Sequence, residues 1–247
     1  MLNKKIMTAA VATALLSGAA ATSVQAVEVS ANVALVSDYR FRGISQTGTD
    51  AAIQGGFDVA FEPGFYVGTW ASSVDFGDVD DGSGSFGTME IDYYAGWGGP
   101  IGDTDFGVDV GYAYYQYPGD TVDPDGDYQE FHVTGSWKDL SIGATYSDDY
   151  YASTGKFWYF AGDYSYNFGF LEGLSVALHA GYNDFDEEGF FSTDEDNYTD
   201  WSVTLGYTYM GVDFAVAYVD TNLDTEDCWE DDDACDSTAV FSISKSL

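Results

Sequence analysis

The chain has 247 residues, with 42 Asp or Glu against 7 Lys or Arg, for a formal charge of −35. Such an excess of carboxylates speaks against nucleic acid and anionic membrane surfaces as direct partners, because both repel it. Acidity of this order often marks a disordered chain, but aromatic residues make up 17% of this one, so a folded body must hold its Tyr, Phe and Trp side chains.

Residues 1–26 read as a secretory signal peptide. Lys4 and Lys5 precede an apolar stretch from Ile6 to Ala21, and Val24-Gln25-Ala26 supplies the small residues of a cleavage site. Residues 27–247 are then one exported domain whose basic residues are Arg40, Arg42, Lys138, Lys156 and Lys245. No helical period follows the signal. Apolar and polar residues instead alternate with period two, as in strands that face lipid on one side and a lumen on the other.

The predicted strands, in order, are 28–43, 51–62, 64–76, 88–98, 104–117, 127–138, 139–148, 156–168, 173–184, 199–210, 211–220 and 237–247. In the first, Val29, Ala31, Val33, Leu35, Tyr39 and Phe41 share one face, and Ser30, Asn32, Asp38, Arg40 and Arg42 share the other. Clean alternation recurs at Ile53–Phe61, Met89–Trp97, Phe106–Tyr114, Leu174–Tyr182 and Trp201–Tyr209. Segments 64–76, 127–138 and 156–168 alternate poorly, and their facing stays open. The last strand sets Phe241, Ile243 and Leu247 on one face with Lys245, whose amine is expected to snorkel to the interface.

The connections alternate in length. Those at 63–64, 99–102, 138–139, 169–172 and 210–211 are short, whereas 44–50, 77–87, 118–126, 149–155, 185–198 and 221–236 are longer and acidic. The longer ones hold Asp78, Asp80, Asp81, Asp186, Glu187, Glu188, Glu230, Asp231 and Asp232 among others. These features predict an all-β, transmembrane, antiparallel up-and-down β-barrel of about twelve strands, its short turns periplasmic and its long loops outside the cell. Aromatics near strand ends, at Tyr39, Phe41, Tyr112–Tyr117, Tyr207 and Tyr209, fit an interfacial girdle. About eight strands give a filled interior and sixteen an open pore, so a narrow or partly plugged lumen is expected, with room left by Gly96, Gly107, Gly111, Gly181 and Gly206.

The segment Ser37-Asp38-Tyr39-Arg40-Phe41-Arg42-Gly43-Ile44-Ser45-Gln46, with Gly64–Ser72 and Glu90–Trp97, resembles the TorF porin family of proteobacteria. The closing Ser242–Ser246 is similar as well, although relatives tend to end on Phe where this chain has Leu247. The resemblance implies an outer-membrane barrel, with lipid, lipopolysaccharide and the barrel-assembly machinery as its partners.

Arg40 and Arg42 are the leading site candidates, placed on the lumen side near the outer mouth amid Asp38 and Asp58. Opposed basic and acidic rows create a transverse field that selects solutes; the plainer reading is ion pairing that ties strand one to its neighbours. Glu90, Asp92, Asp109 and His179 are further pore-lining candidates and would favour cations. For the two histidines, His132 and His179, a metal role needs a second ligand that the sequence does not identify. In an exported chain Cys228 and Cys235 read as a disulfide rather than a metal site. Asp123, Asp125 and Asp127 have the rhythm of a calcium loop, but Tyr128 and Thr134 replace its Gly and Glu, so only weak Ca²⁺ or Mg²⁺ binding is expected and no firm cofactor. No catalytic motif stands out, so the chain is not expected to be an enzyme. The expected function is passive diffusion of ions or small hydrophilic solutes, with a preference for cations. The alternative is a non-conducting structural or surface-binding barrel whose acidic loops hold cations.

Overall fold

The structure is a computed structural model that describes residues 27–77, 84–186, 191–228 and 233–247. The expected signal peptide, and Asp78, Asp80, Asp81, Glu187, Glu188, Glu230, Asp231 and Asp232, lie outside the described residues.

Its strands are β1 (Glu28–Val36), β2 (Arg40–Phe41), β3 (Ile44–Ser45), β4 (Ala52–Phe61), β5 (Phe65–Ser73), β6 (Met89–Pro100), β7 (Phe106–Gln116), β8 (Tyr128–Trp137), β9 (Leu140–Ser147), β10 (Phe157–Asn167), β11 (Leu174–Phe185), β12 (Asn197–Tyr209), β13 (Val212–Thr221) and β14 (Thr238–Ser246). All but β2 and β3 pair with their neighbours into one closed barrel, and β2 and β3 form a small hairpin of their own. Closure occurs at β1, which is antiparallel to β4 on one side and β14 on the other, with Leu35 opposite both Ile53 and Ile243. Closure matters physically because a sheet edge in hydrocarbon would leave backbone N–H and C=O groups unpaired.

The outward face is apolar all round the ring. Val29, Phe57, Ile142 and Phe241 are 67%, 64%, 63% and 61% exposed on four different strands. A water-soluble protein rarely shows so large a contiguous apolar surface, whereas a lipid-facing belt requires one. Lys245 interrupts the belt only at its edge, where its Nζ donates to the carbonyl of Gly211 at 3.0 Å in the turn after β12.

The three segments of unclear facing have a common explanation. Tyr66 and Trp70 on β5, Tyr128 on β8, and Phe157 and Tyr159 on β10 are buried in the interior, while Phe65, Phe131 and Trp158 face outward. Both faces are apolar there, so the period-two signal cancels. The first predicted strand also needs correction: β1 ends at Val36, and the chain then turns into the barrel. Tyr39, Tyr115 and Tyr117, expected in an interfacial girdle, are buried inside instead.

The belt predicts a depth-dependent cost for charge. Val203→Arg, at the middle of β12, should lower the free energy of folding into vesicles by about 2–4 kcal/mol, and Thr199→Arg near the strand end by about 0–1 kcal/mol. Equal costs in urea titrations at the two positions would contradict the assigned belt.

Candidate functional site

The loop after β1 is the element that fills the bore. Arg40 pairs with Ser45 and Phe41 with Ile44, which leaves Arg42-Gly43 as a two-residue turn. Its residues have φ of +50° and +86°, as the primed hairpin turns require. Gly43 suits that conformation, and a Cβ there would collide with Thr221 and Asp200. Arg42 does not suit it, so the turn holds a left-handed arginine at a cost of about 1–3 kcal/mol.

The base of the hairpin is fixed by Asp38 and the disulfide loop. Asp38 accepts hydrogen bonds from Arg40 Nε, from Ser45 Oγ at 2.7 Å and from Thr47 Oγ1 at 3.2 Å. Arg40 also donates to the carbonyls of Ala234 at 2.6 Å and of Asp236 and Asp233 at 3.2 Å. The Ser45 amide donates to the Ala234 carbonyl at 2.9 Å. Cys228 and Cys235 are joined, and their disulfide ties down the segment whose carbonyls receive Arg40.

The tip reaches the far wall. Arg42 Nη2 donates to Glu130 Oε2 at 2.9 Å. Glu130 Oε1 stands 2.8 Å from Nη1 as a charge contact outside hydrogen-bond alignment. The guanidinium carbon lies 4.4 Å from the ring centre of Tyr159, 4.5 Å from Phe41, 4.8 Å from Phe157 and 6.0 Å from Tyr150. Tyr198 donates to the Arg42 carbonyl at 3.0 Å, and Tyr115 donates to Glu130 at 3.0 Å. Burial works against the charge on Arg42, but facing Glu130 outweighs it and holds the guanidinium protonated above its ordinary range.

Other contacts bridge opposite sides. Tyr39 and Tyr117 each donate to one oxygen of buried Glu90 at 2.8 Å, and Tyr39 packs edge-on to Trp70 with ring centres 5.4 Å apart. Asp92 is fully buried, and neither of its carboxylate oxygens has a hydrogen-bond partner. The loop thus touches β6 at Glu90 and β12 at Tyr198, which lie diametrically opposite in the strand order. Around it the interior is packed with Tyr115, Tyr128, Tyr150, Phe157, Phe185 and Tyr198. The long-loop half of the bore is therefore closed by protein.

The short-turn half is polar. Asp109 is 2.7 Å from His132 Nε2 and accepts from Tyr66 at 3.0 Å, and Asp58 accepts from Tyr94. At the boundary with the plug, His179 sits between Asp163, 2.7 Å from Nδ1, and Asp200, 2.9 Å from Nε2, beside the hairpin tip. Asp200 also accepts from Asn183 at 2.9 Å. Three of the inward glycines do not leave open room: the Tyr66 hydroxyl lies over Gly96, His132 over Gly111 and Tyr159 over Gly181. The missing side chains let larger ones lie against the wall.

Of the residues singled out in the sequence, Asp38, Arg40 and Arg42 lie in the loop rather than on strand one, Arg40 on Asp38 and Arg42 on Glu130, while Asp58, Glu90, Asp92, Asp109 and His179 face the interior. Asp123 and Asp125 are exposed, and Asp127 accepts instead from the Tyr117 amide and the Tyr114 hydroxyl, each at 2.8 Å. Among the described residues no three His, Cys, Asp or Glu are placed to hold a metal ion. Sequence reasoning missed Glu130, Asp163 and Asp200. Glu130 lies in a segment whose alternation is masked by the inward Tyr128.

A family model described as "Bacterial protein of unknown function (Gcw_chp)" matches residues 19–247. No curated protein matches the chain. Among solved structures, the chain is similar to one titled "KdgM porin", with a TM-score of 0.53 and 10% identity over 88% of this chain and 98% of that one. It is also similar to a NanC porin structure, with a TM-score of 0.54 and 12% identity over 89% of this chain and 99% of that one. At such identity the likeness is one of fold: a twelve-stranded antiparallel outer-membrane porin barrel.

Glu130→Gln should strand a buried guanidinium and lower stability by about 3–5 kcal/mol in urea unfolding of the folded barrel. Replacing both partners, Arg42→Met with Glu130→Leu, should cost less than the single change. A double variant that loses the sum of the two single losses would show that the pair is not coupled.

Proposed function

The chain belongs to the Gcw_chp family of bacterial proteins of unknown function, and from that premise we propose that it is an outer-membrane channel for passive diffusion of small cationic solutes, closed in this conformation by its first long loop. The observation that carries the reading is the charge of the bore. Asp58, Asp109, Asp163 and Asp200 project into it, and the two histidines on its wall each already face a carboxylate. A narrow passage lined by carboxylates lowers the energy of cations and raises that of anions. The porin folds of the two solved structures and the TorF resemblance support a transport role, and porin-like barrels of this kind are typically non-enzymatic.

Arg40 is spent on Asp38 and on backbone carbonyls at the base of the plug. Arg42 carries the charge that meets the wall, so the transverse field at the constriction is the Arg42–Glu130 pair itself. Lipid surrounds the apolar belt, lipopolysaccharide meets the acidic outer loops across bridging cations, and the barrel-assembly machinery inserts the chain.

A second reading, a structural barrel that does not conduct, is favoured by one observation: aromatic packing fills the long-loop half of the bore. Planar-bilayer recordings separate the two. The native chain should show small, infrequent, cation-preferring currents, and deletion of residues 40–45 should raise conductance several-fold with the preference kept. Silence of both proteins, each shown to be folded by heat-modifiable gel migration, would favour the structural barrel. Anion preference would contradict the proposed selectivity.

A further inference from the structure

The pocket around Arg42 has more recognition chemistry than an ion pair needs. The rings of Tyr159 and Phe157 present their faces to the guanidinium with centres 4.4 and 4.8 Å from its carbon. Glu130 supplies a facing carboxylate, itself oriented by the Tyr115 hydroxyl. A flat cation between aromatic faces and opposite a carboxylate is the arrangement by which organic cations are bound.

The walls and the occupant belong to different parts of the molecule. Glu130 lies on β8, and Phe157 and Tyr159 lie on β10, all within the hydrogen-bonded barrel. Arg42 and Phe41 lie on the short hairpin, held partly by a left-handed residue that favours release. When the hairpin moves, Glu130 and two of the ring faces stay where they are.

Asp92 supplies a separate observation. On β6 it pairs with Tyr115 of β7, which in turn pairs with Tyr128, two residues from Glu130 on β8. The two carboxylates thus flank Tyr115 on the inner wall. Asp92 is 0% exposed and its oxygens have no hydrogen-bond partner. A buried carboxyl group without a hydrogen-bond partner is an exception in a folded protein, and Arg42 leaves it unserved. A ligand with more donors than Arg42 can bring would satisfy it.

We propose that this pocket is a recognition site for solutes bearing a guanidinium group, and that Arg42 is a built-in mimic which occupies it until such a solute takes its place. The site rests on the cation-channel reading for its place on a transport path, but its test is one of binding, so a barrel that never conducts leaves the test intact.

The full chain carrying Arg42→Ala, refolded in detergent, is heated with millimolar guanidinium chloride, with urea as the neutral isostere, or with sodium chloride at matched ionic strength. Unfolding is read by gel migration. Guanidinium should raise the midpoint, and the other two should not. At ten times its dissociation constant it should increase the folding constant about elevenfold. The rescue should vanish when Glu130→Gln is added. If Arg42→Ala does not fold alone, its refolding yield with each additive gives the same comparison. Equal effects of the three additives, or rescue that survives Glu130→Gln, would overturn the proposal.

Discussion

A guanidinium taken out of water costs several kcal/mol unless a carboxylate faces it, and at the tip of the loop Arg42 meets that condition at Glu130. The closed bore follows from this pairing. The hairpin must enter far enough for Arg42 to reach β8, which brings Tyr39 to Glu90 and the Arg42 carbonyl to Tyr198. It also requires a turn tight enough to pass Thr221 and Asp200, and Gly43 provides it. The acidic wall and the basic tip are thus two halves of one arrangement.

The barrel makes that arrangement possible by leaving its interior wide enough for a loop and too narrow for much else. Twelve strands close the backbone hydrogen bonding without an edge. Inside, Tyr66, Tyr159 and His132 lie flat against glycines of neighbouring strands and thicken the wall. The carbonyls of Asp233, Ala234 and Asp236 hold the base of the plug through Arg40. The dynamic consequence is that the plug has a firm base and a tip held by one ion pair and a few hydroxyl contacts.

Much of the barrel was legible in the sequence because lipid imposes a simple rule. Outward positions such as Val29, Phe57 and Phe241 must be apolar, and each long connection must alternate with a short turn. The plug was legible only in part. The residues Asp38 to Arg42 keep an alternating pattern and so read as a continuation of β1, yet their partners are side chains and carbonyls far away in sequence. Glu130 was hidden for a related reason: inward Tyr128 and outward Phe131 make both faces of its strand apolar. A filled lumen erases the contrast that a lipid belt creates. The spacing of Asp123, Asp125 and Asp127 gave no sign of one local role, in which Asp127 accepts from the Tyr117 amide.

The most direct test of the account is the position of the hairpin tip inside the bore. Arg42→Lys keeps the charge at the tip and sets a primary amine against Glu130. The account predicts a zero-length amide cross-link between positions 42 and 130 when the folded, detergent-solubilised barrel is treated with a carbodiimide, identified by mass spectrometry of the digested protein. A folded barrel whose exposed carboxylates are modified while no such amide forms would contradict it.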